Sequence, residues 1–125
     1  MTQPHVIRLR GPWEFETLGD DPQRGIVQAE GDWLAGLTAG QRIRLRRRFQ
    51  RPTGLSAQTQ VTIVVAGVAC ERVLLNEEAL EGVTEGDAVR FDVSTRLRPS
   101  NLLTIEVDGE RRTMTGQVWL EIVER

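Results

Sequence analysis

The residues able to do chemistry are few: one histidine, one cysteine, several carboxylates, a run of arginines and three tryptophans. His5 is the only histidine, which excludes a histidine metal cluster and most triad arrangements. It should be solvated in an N-terminal arm. Cys70 is the only cysteine, so neither an intrachain disulfide nor a cysteine metal site can form. With no second histidine to act as a base, its thiol reads as a small buried hydrophobe. The acidic groups Asp20-Asp21, Glu77-Glu78 and Glu85 with Asp87 fall at turn signals, where solvated carboxylates are the rule, and nothing pairs any two of them for glycoside hydrolysis. The glycines are scattered and form no phosphate-cradling loop. These residues point to no enzyme, no metal and no cofactor.

The segment Gln41 to Arg51 carries Arg42, Arg44, Arg46, Arg47, Arg48 and Arg51, a density compatible with phosphate binding. Read as a strand, it places Ile43, Leu45 and Phe49 inward and Arg42, Arg44, Arg46 and Arg48 in an outer row. Arg47 then falls on the inward face and needs a carboxylate or carbonyl partner. Single-strand binders interleave basic residues with exposed aromatics, and this chain has no Tyr and three Phe. Nucleic acid is therefore not the expected partner. Trp33 follows Gly31-Asp32 at a strand-to-loop junction. Such a tryptophan can stack on a sugar ring while Asp32 accepts hydrogen bonds from hydroxyls, or it can plug one end of a sandwich. Trp13 alternates with Phe15 and reads as core, whereas Trp119 has the opposite parity to Val118, Leu120 and Ile122.

The elements that must position these residues show period-two alternation in short runs: Trp13–Glu16, Val61–Val65, Val89–Val93, Leu103–Val107 and Val118–Ile122. Between them lie turn signals: Gly19-Asp20-Asp21-Pro22, Arg51-Pro52-Thr53-Gly54, Glu85-Gly86-Asp87, Arg98-Pro99-Ser100-Asn101 and Asp108-Gly109. No window keeps helical spacing for three turns. The nearest, Leu75 to Leu80, offers at most one. Many short strands without helices predict two antiparallel sheets packed face to face, with Phe15, Phe49, Val61, Ile63, Leu75, Phe91, Ile105 and Leu120 in the core.

At 125 residues the chain suits one domain, 1–125, with 1–5 as a flexible arm. A net charge of −2 gives no global attraction to nucleic acid or an anionic membrane. All 16 basic residues are Arg, which we read as genome composition. With neither a leader nor a membrane span in view, a soluble cytoplasmic protein is expected.

The order of motifs resembles the sugar-binding domain of the β-galactosidase, β-glucuronidase and β-mannosidase family, family 2 of the glycoside hydrolases. Ile7-Arg8-Leu9-Arg10-Gly11-Pro12-Trp13-Glu14-Phe15 is similar to its opening "L-x-G-x-W-x-F", Val27 to Trp33 to "V-x-V-P-G-x-W", and Arg47 to Pro52 to "R-R-x-F-x-x-P". Val61 to Val68 with Arg72 to Asn76, Phe91-Asp92-Val93-Ser94 with Leu97, Pro99, Asn101 and Leu103, and Thr115 to Leu120 resemble the later motifs in the same order. Two departures are Asn76-Glu77 for an Asn-Gly turn and Glu30 for the proline before Gly31. The resemblance implies a jelly-roll, galactose-binding-like β-sandwich with no catalytic role, because the family's acid and nucleophile belong to a barrel that has no counterpart in these motifs. It further implies that two loops approach a sugar, here near Asp32 to Gly40 and Asp108 to Thr115, and so nominates Asp32, Trp33, Glu110, Arg111 and Arg112. Carbohydrate is one expected partner and another protein the alternative, for a domain that has kept the sandwich and lost the ligand site.

Overall fold

A computed structural model describes residues 4–19, 21–27, 42–67, 70–108 and 117–124. Alternation sets the strands: β1 His5–Arg8, β2 Trp13–Leu18, β3 Arg24–Val27, β4 Arg42–Gln50, β5 Thr59–Ala66, β6 Cys70–Leu75, β7 Glu78–Ala79, β8 Val83–Glu85, β9 Ala88–Asp92, β10 Ser100–Asp108 and β11 Gln117–Glu124. They form a five-stranded sheet, β1-β11-β5-β9-β8, and a six-stranded sheet, β3-β2-β4-β10-β6-β7. Every pairing is antiparallel. This is the expected all-β sandwich, with no helix among the described residues.

Each sheet hides one face against the other. Ile43, Leu45 and Phe49 of β4, Leu103, Ile105 and Val107 of β10, and Val73 and Leu75 of β6 meet Val61, Ile63 and Val65 of β5, Phe91 of β9, and Val118 and Leu120 of β11. Seven of the eight expected core residues are buried. Phe15 is only half-buried and packs at the margin, where its ring lies over Gly25, its cross-strand partner on edge strand β3. A Cβ at Gly25 would come within 2.7 Å of that ring, so glycine is what lets the ring close over the edge strand.

Trp13 is in the core, as its alternation predicts, and its indole Nε1 donates to the Leu9 carbonyl at 3.1 Å. The peptide bond between Gly11 and Pro12 is cis. His5 is not in an arm: it is the first residue of β1, opposite Ile122, although its side chain is exposed as expected. Cys70 is half-buried against the core and burial pushes its thiol pKa up. That is the inert cysteine the sequence suggests.

Two local expectations are corrected. Leu75 to Leu80 contains no helical turn; Asn76 and Glu77, with φ of 52° and 71°, form the two-residue connection between β6 and β7. Two consecutive positive φ values give the hairpin geometry that suits the twist of the flanking strands. The Arg98 to Asn101 turn signal extends too far, because β10 already starts at Ser100. Asn101 is 0% exposed. Its Oδ1 accepts from the Arg98 backbone N–H at 2.8 Å and from Asn76 Nδ2 at 3.1 Å, and its Nδ2 donates to the Arg98 carbonyl at 2.8 Å. A turn-forming side chain is thus used to tie a turn from inside the strand.

Candidate functional site

Asp32, Trp33, Glu110, Arg111 and Arg112 all lie outside the described residues. What is described is their framing. Arg42, which follows segment 28–41, pairs with Asp108, which precedes segment 109–116. Gln117, which follows segment 109–116, pairs with Ala66 at the end of β5.

A groove of about 820 Å³ lies on the outer face of the six-stranded sheet. Its floor follows from strand register. Arg44, Arg46 and Arg48 project from β4, the outer row that alternation predicts, with Glu14 and Glu16 on one side and Leu102, Thr104 and Glu106 on the other. One cross-strand row reads Arg24, Glu16, Arg44, Glu106, Arg72 across five strands. This is a ladder of alternating charge, the favourable order for directly opposed side chains. Arg44 reaches Glu106 at 3.2 Å and Arg24 reaches Glu16 at 3.4 Å, while Arg72 stands 4.0 Å from Glu106. Arg46 leans diagonally to Glu16 at 3.6 Å. Arg48 is exposed and has no ion pair among the described residues.

Arg47 behaves as its phase requires. It is half-buried, its Nε donates to the Arg10 carbonyl at 2.6 Å and its Nη1 to the Arg48 carbonyl at 2.9 Å. Burial lowers its pKa below the usual guanidinium value, and the two carbonyls supply the partners an inward charge needs.

The other sheet carries a smaller cleft of about 280 Å³ beside Val6, Arg8, Gln117, Trp119 and Glu121. Trp119 faces outward and is half-buried, and its Nε1 donates to Glu121 Oε1 at 3.2 Å. The other carboxylate oxygen of Glu121 is bound by Arg90. Arg90 holds the Glu121 carboxyl below its ordinary pKa, and the Trp119 N–H adds to the effect. Val64, directly between Trp119 and Arg90 in register, is 1% exposed although it belongs to the outer face. Sequence parity places Trp119 outside the core but does not reveal this cluster, because its partners come from strands about 30 and 55 residues away.

Several polar residues of the motif resemblance hold turns. Ser94 Oγ donates to Asp92 Oδ1 at 2.6 Å and accepts from the Val61 backbone N–H at 2.9 Å, fastening the end of β9 to β5. The described residues contain no group of three or more His, Cys, Asp or Glu placed to hold a metal ion. No helix among them is long and apolar enough to cross a membrane.

No protein-family model matches the chain, and no curated protein matches it. Solved structures do. An FMN-binding β-glucuronidase from Facaelibacterium prausnitzii L2-6 aligns with a TM-score of 0.79 at 20% identity, covering 98% of this chain and 23% of that one. The β-D-glucuronidase of Dictyoglomus thermophilum aligns at 0.73 and 16% identity, covering 100% of this chain and 29% of the enzyme. A Bifidobacterium dentium β-glucuronidase, solved with coumarin-3-O-glucuronide, aligns at 0.67 and 20% identity, with coverage of 98% and 30%. A family 2 glycosyl hydrolase from Bacteroides cellulosilyticus is matched over 21% of its length. From end to end, the chain has the fold of one β-sandwich domain that occupies less than a third of each of these much larger enzymes.

Proposed function

We propose that the chain is a non-catalytic carbohydrate-binding module. The observation that carries this reading is the end-to-end match, over 98% of the chain, to one domain of enzymes whose names specify glucuronides. Fold alone does not fix function, so the residues must supply the chemistry. Trp33 offers a stacking face, Asp32 or Glu110 accepts hydrogen bonds from hydroxyls, and Arg111 or Arg112 donates to ring or carboxylate oxygens. Absence of catalysis is supported by the share of the matched enzymes that the chain spans, less than a third of each.

On the sequence reading of the stretches around Trp33 and Glu110 as loops, the site should be shallow and wet. Affinity then falls at a Kd of about 10⁻³ to 10⁻⁵ M, where one aromatic stack and a few hydrogen bonds offset the loss of rigid-body freedom. Titration of neutral oligosaccharides and of monomeric glucuronides, too short to lie along a sheet face, followed by tryptophan fluorescence, should saturate in that range and lose at least tenfold in affinity on Trp33→Ala. The sugar should be recovered uncleaved. Absence of binding at millimolar sugar, or binding unchanged in Trp33→Ala, would remove the assignment.

A specific observation favours a second reading, attachment to another protein. Among the described residues, the large exposed apolar ones, Val6, Ile26 and Val83, at 46%, 66% and 71% exposure, all lie on edge strands, β1, β3 and β8. Edge strands with apolar exposed side chains are templates for pairing with another chain. Alanine at these three positions would abolish capture by such a partner and leave sugar titrations unchanged.

A further inference from the structure

We propose that the groove on the outer face of the six-stranded sheet is a second carbohydrate site, one that takes an extended polysaccharide bearing carboxylates. It keeps the sugar-binding reading but stands on different residues, so it can hold where the assignment at 28–41 and 109–116 fails.

Charge supplies the first argument. Five arginines and three glutamates line the groove, an excess of positive charge on a chain whose net charge is −2. The excess is concentrated on β4. Arg44, Arg46 and Arg48 alternate along one strand, so their Cα atoms recur at about 7 Å and present a line of donors to any chain lying along it. Of these three, only Arg44 spends a side-chain hydrogen bond among the described residues, to Glu106, while Arg47 is committed to the Arg10 and Arg48 carbonyls. Arg46 and Arg72 have ion-pair contacts beyond hydrogen-bond length, and Arg48 has none among the described residues. Guanidinium groups with uncommitted forks bind carboxylates bidentately.

The second argument separates sugars from other polyanions. The groove also presents acceptors: Glu14 and Glu77 are exposed and have no ion pair among the described residues. Phosphodiester groups carry acceptors only, so a nucleic acid offers the glutamates at most one ribose hydroxyl per nucleotide, whereas each residue of a polyuronic acid carries a carboxylate for the arginines and several hydroxyl donors for the glutamates. Base stacking has no platform here, because the lining contains no aromatic residue and its apolar members are Pro12, Ile26, Leu74 and Leu102. Neutral sugars lack such a platform as well, so the carboxylates must provide recognition.

The test is a calorimetric titration of the chain with a galacturonic acid pentamer and, in parallel, with a neutral galactose pentamer. The acidic pentamer should bind at least tenfold more tightly, and its affinity should fall several-fold between 50 and 300 mM salt. Arg46→Gln/Arg48→Gln should weaken it at least tenfold at an unchanged melting temperature, while Trp33→Ala leaves it within twofold. Equal affinity for the two pentamers, an unaffected arginine double variant, or loss of acidic-pentamer binding in Trp33→Ala would each overturn the groove. Tighter binding of polyuridylate or of a polyglutamate peptide than of the acidic pentamer would also overturn it, by showing a general polyanion surface. Survival of the acidic-pentamer result alongside a failed neutral-sugar result in Trp33→Ala would retire the loop site alone.

Discussion

Asn101 and Glu121 show how single side chains fix this sandwich. Asn101 is fully buried and satisfies three polar groups, two on Arg98 and one on Asn76. Asn101→Ala strands all three and should cost about 2–4 kcal/mol, read as a loss of about 8–20 °C in melting temperature. Glu121 behaves differently because its effect depends on pH. Its folded pKa lies below the unfolded value, so the pair with Arg90 contributes stability above about pH 4.3, and that contribution is lost as the pH falls through the folded pKa. Glu121→Gln should lower stability by about 1 kcal/mol at pH 7 and by progressively less toward pH 2, so that melting curves of the two proteins converge in acid. A gap that stays constant with pH would contradict the pairing. Of these residues, Asn101 is visible in the sequence within a motif, although as a turn signal; the Trp119–Glu121–Arg90 contact is not, since parity gives the face but not the neighbour.

At the scale of elements, alternation was sufficient wherever one face of a strand meets water. β4 shows it best: Ile43, Leu45 and Phe49 sink, the even arginines line up outside, and half-buried Arg47 finds carbonyl partners on the inward phase. Alternation says less about β5, where Val61 through Val65 are all buried, because a central strand covered on both faces has no polar side to reveal its period. Turn chemistry misled at β6–β7. Leu75 to Leu80 suggests a helical turn because Glu77 and Glu78 are helix-compatible, yet Glu77 sits at φ 71°, a conformation that strains a residue bearing Cβ. Glu77→Gly should relieve that strain and raise stability by about 0.5–1 kcal/mol. A variant less stable than the parent would show that Glu77 makes contacts that outweigh its backbone.

For the whole molecule, the two sheets and the order of the motifs were readable from end to end, and structural alignment to family 2 glycoside hydrolases over 98% of the chain agrees with them. The site was readable only as residue types. Asp32, Trp33, Glu110, Arg111 and Arg112 lie in sequence stretches without period-two alternation, which leaves their residue types as the only signal, and the groove across the six-stranded sheet exists only after register brings β2, β4, β6 and β10 together. Sequence alternation reads the run of arginines as the outer row of a strand, whereas register shows that row interleaved with glutamates from β2 and β10. Both proposed sites make one claim about the molecule, that it holds carbohydrate. Backbone amide NMR shifts recorded during titration with the galacturonic acid pentamer test that claim most directly. Saturable shifts should concentrate in segments 28–41 and 109–116 and along β4 and β10, with the edge strands β1 and β8 unmoved; an unchanged spectrum at 10 mM pentamer would contradict it.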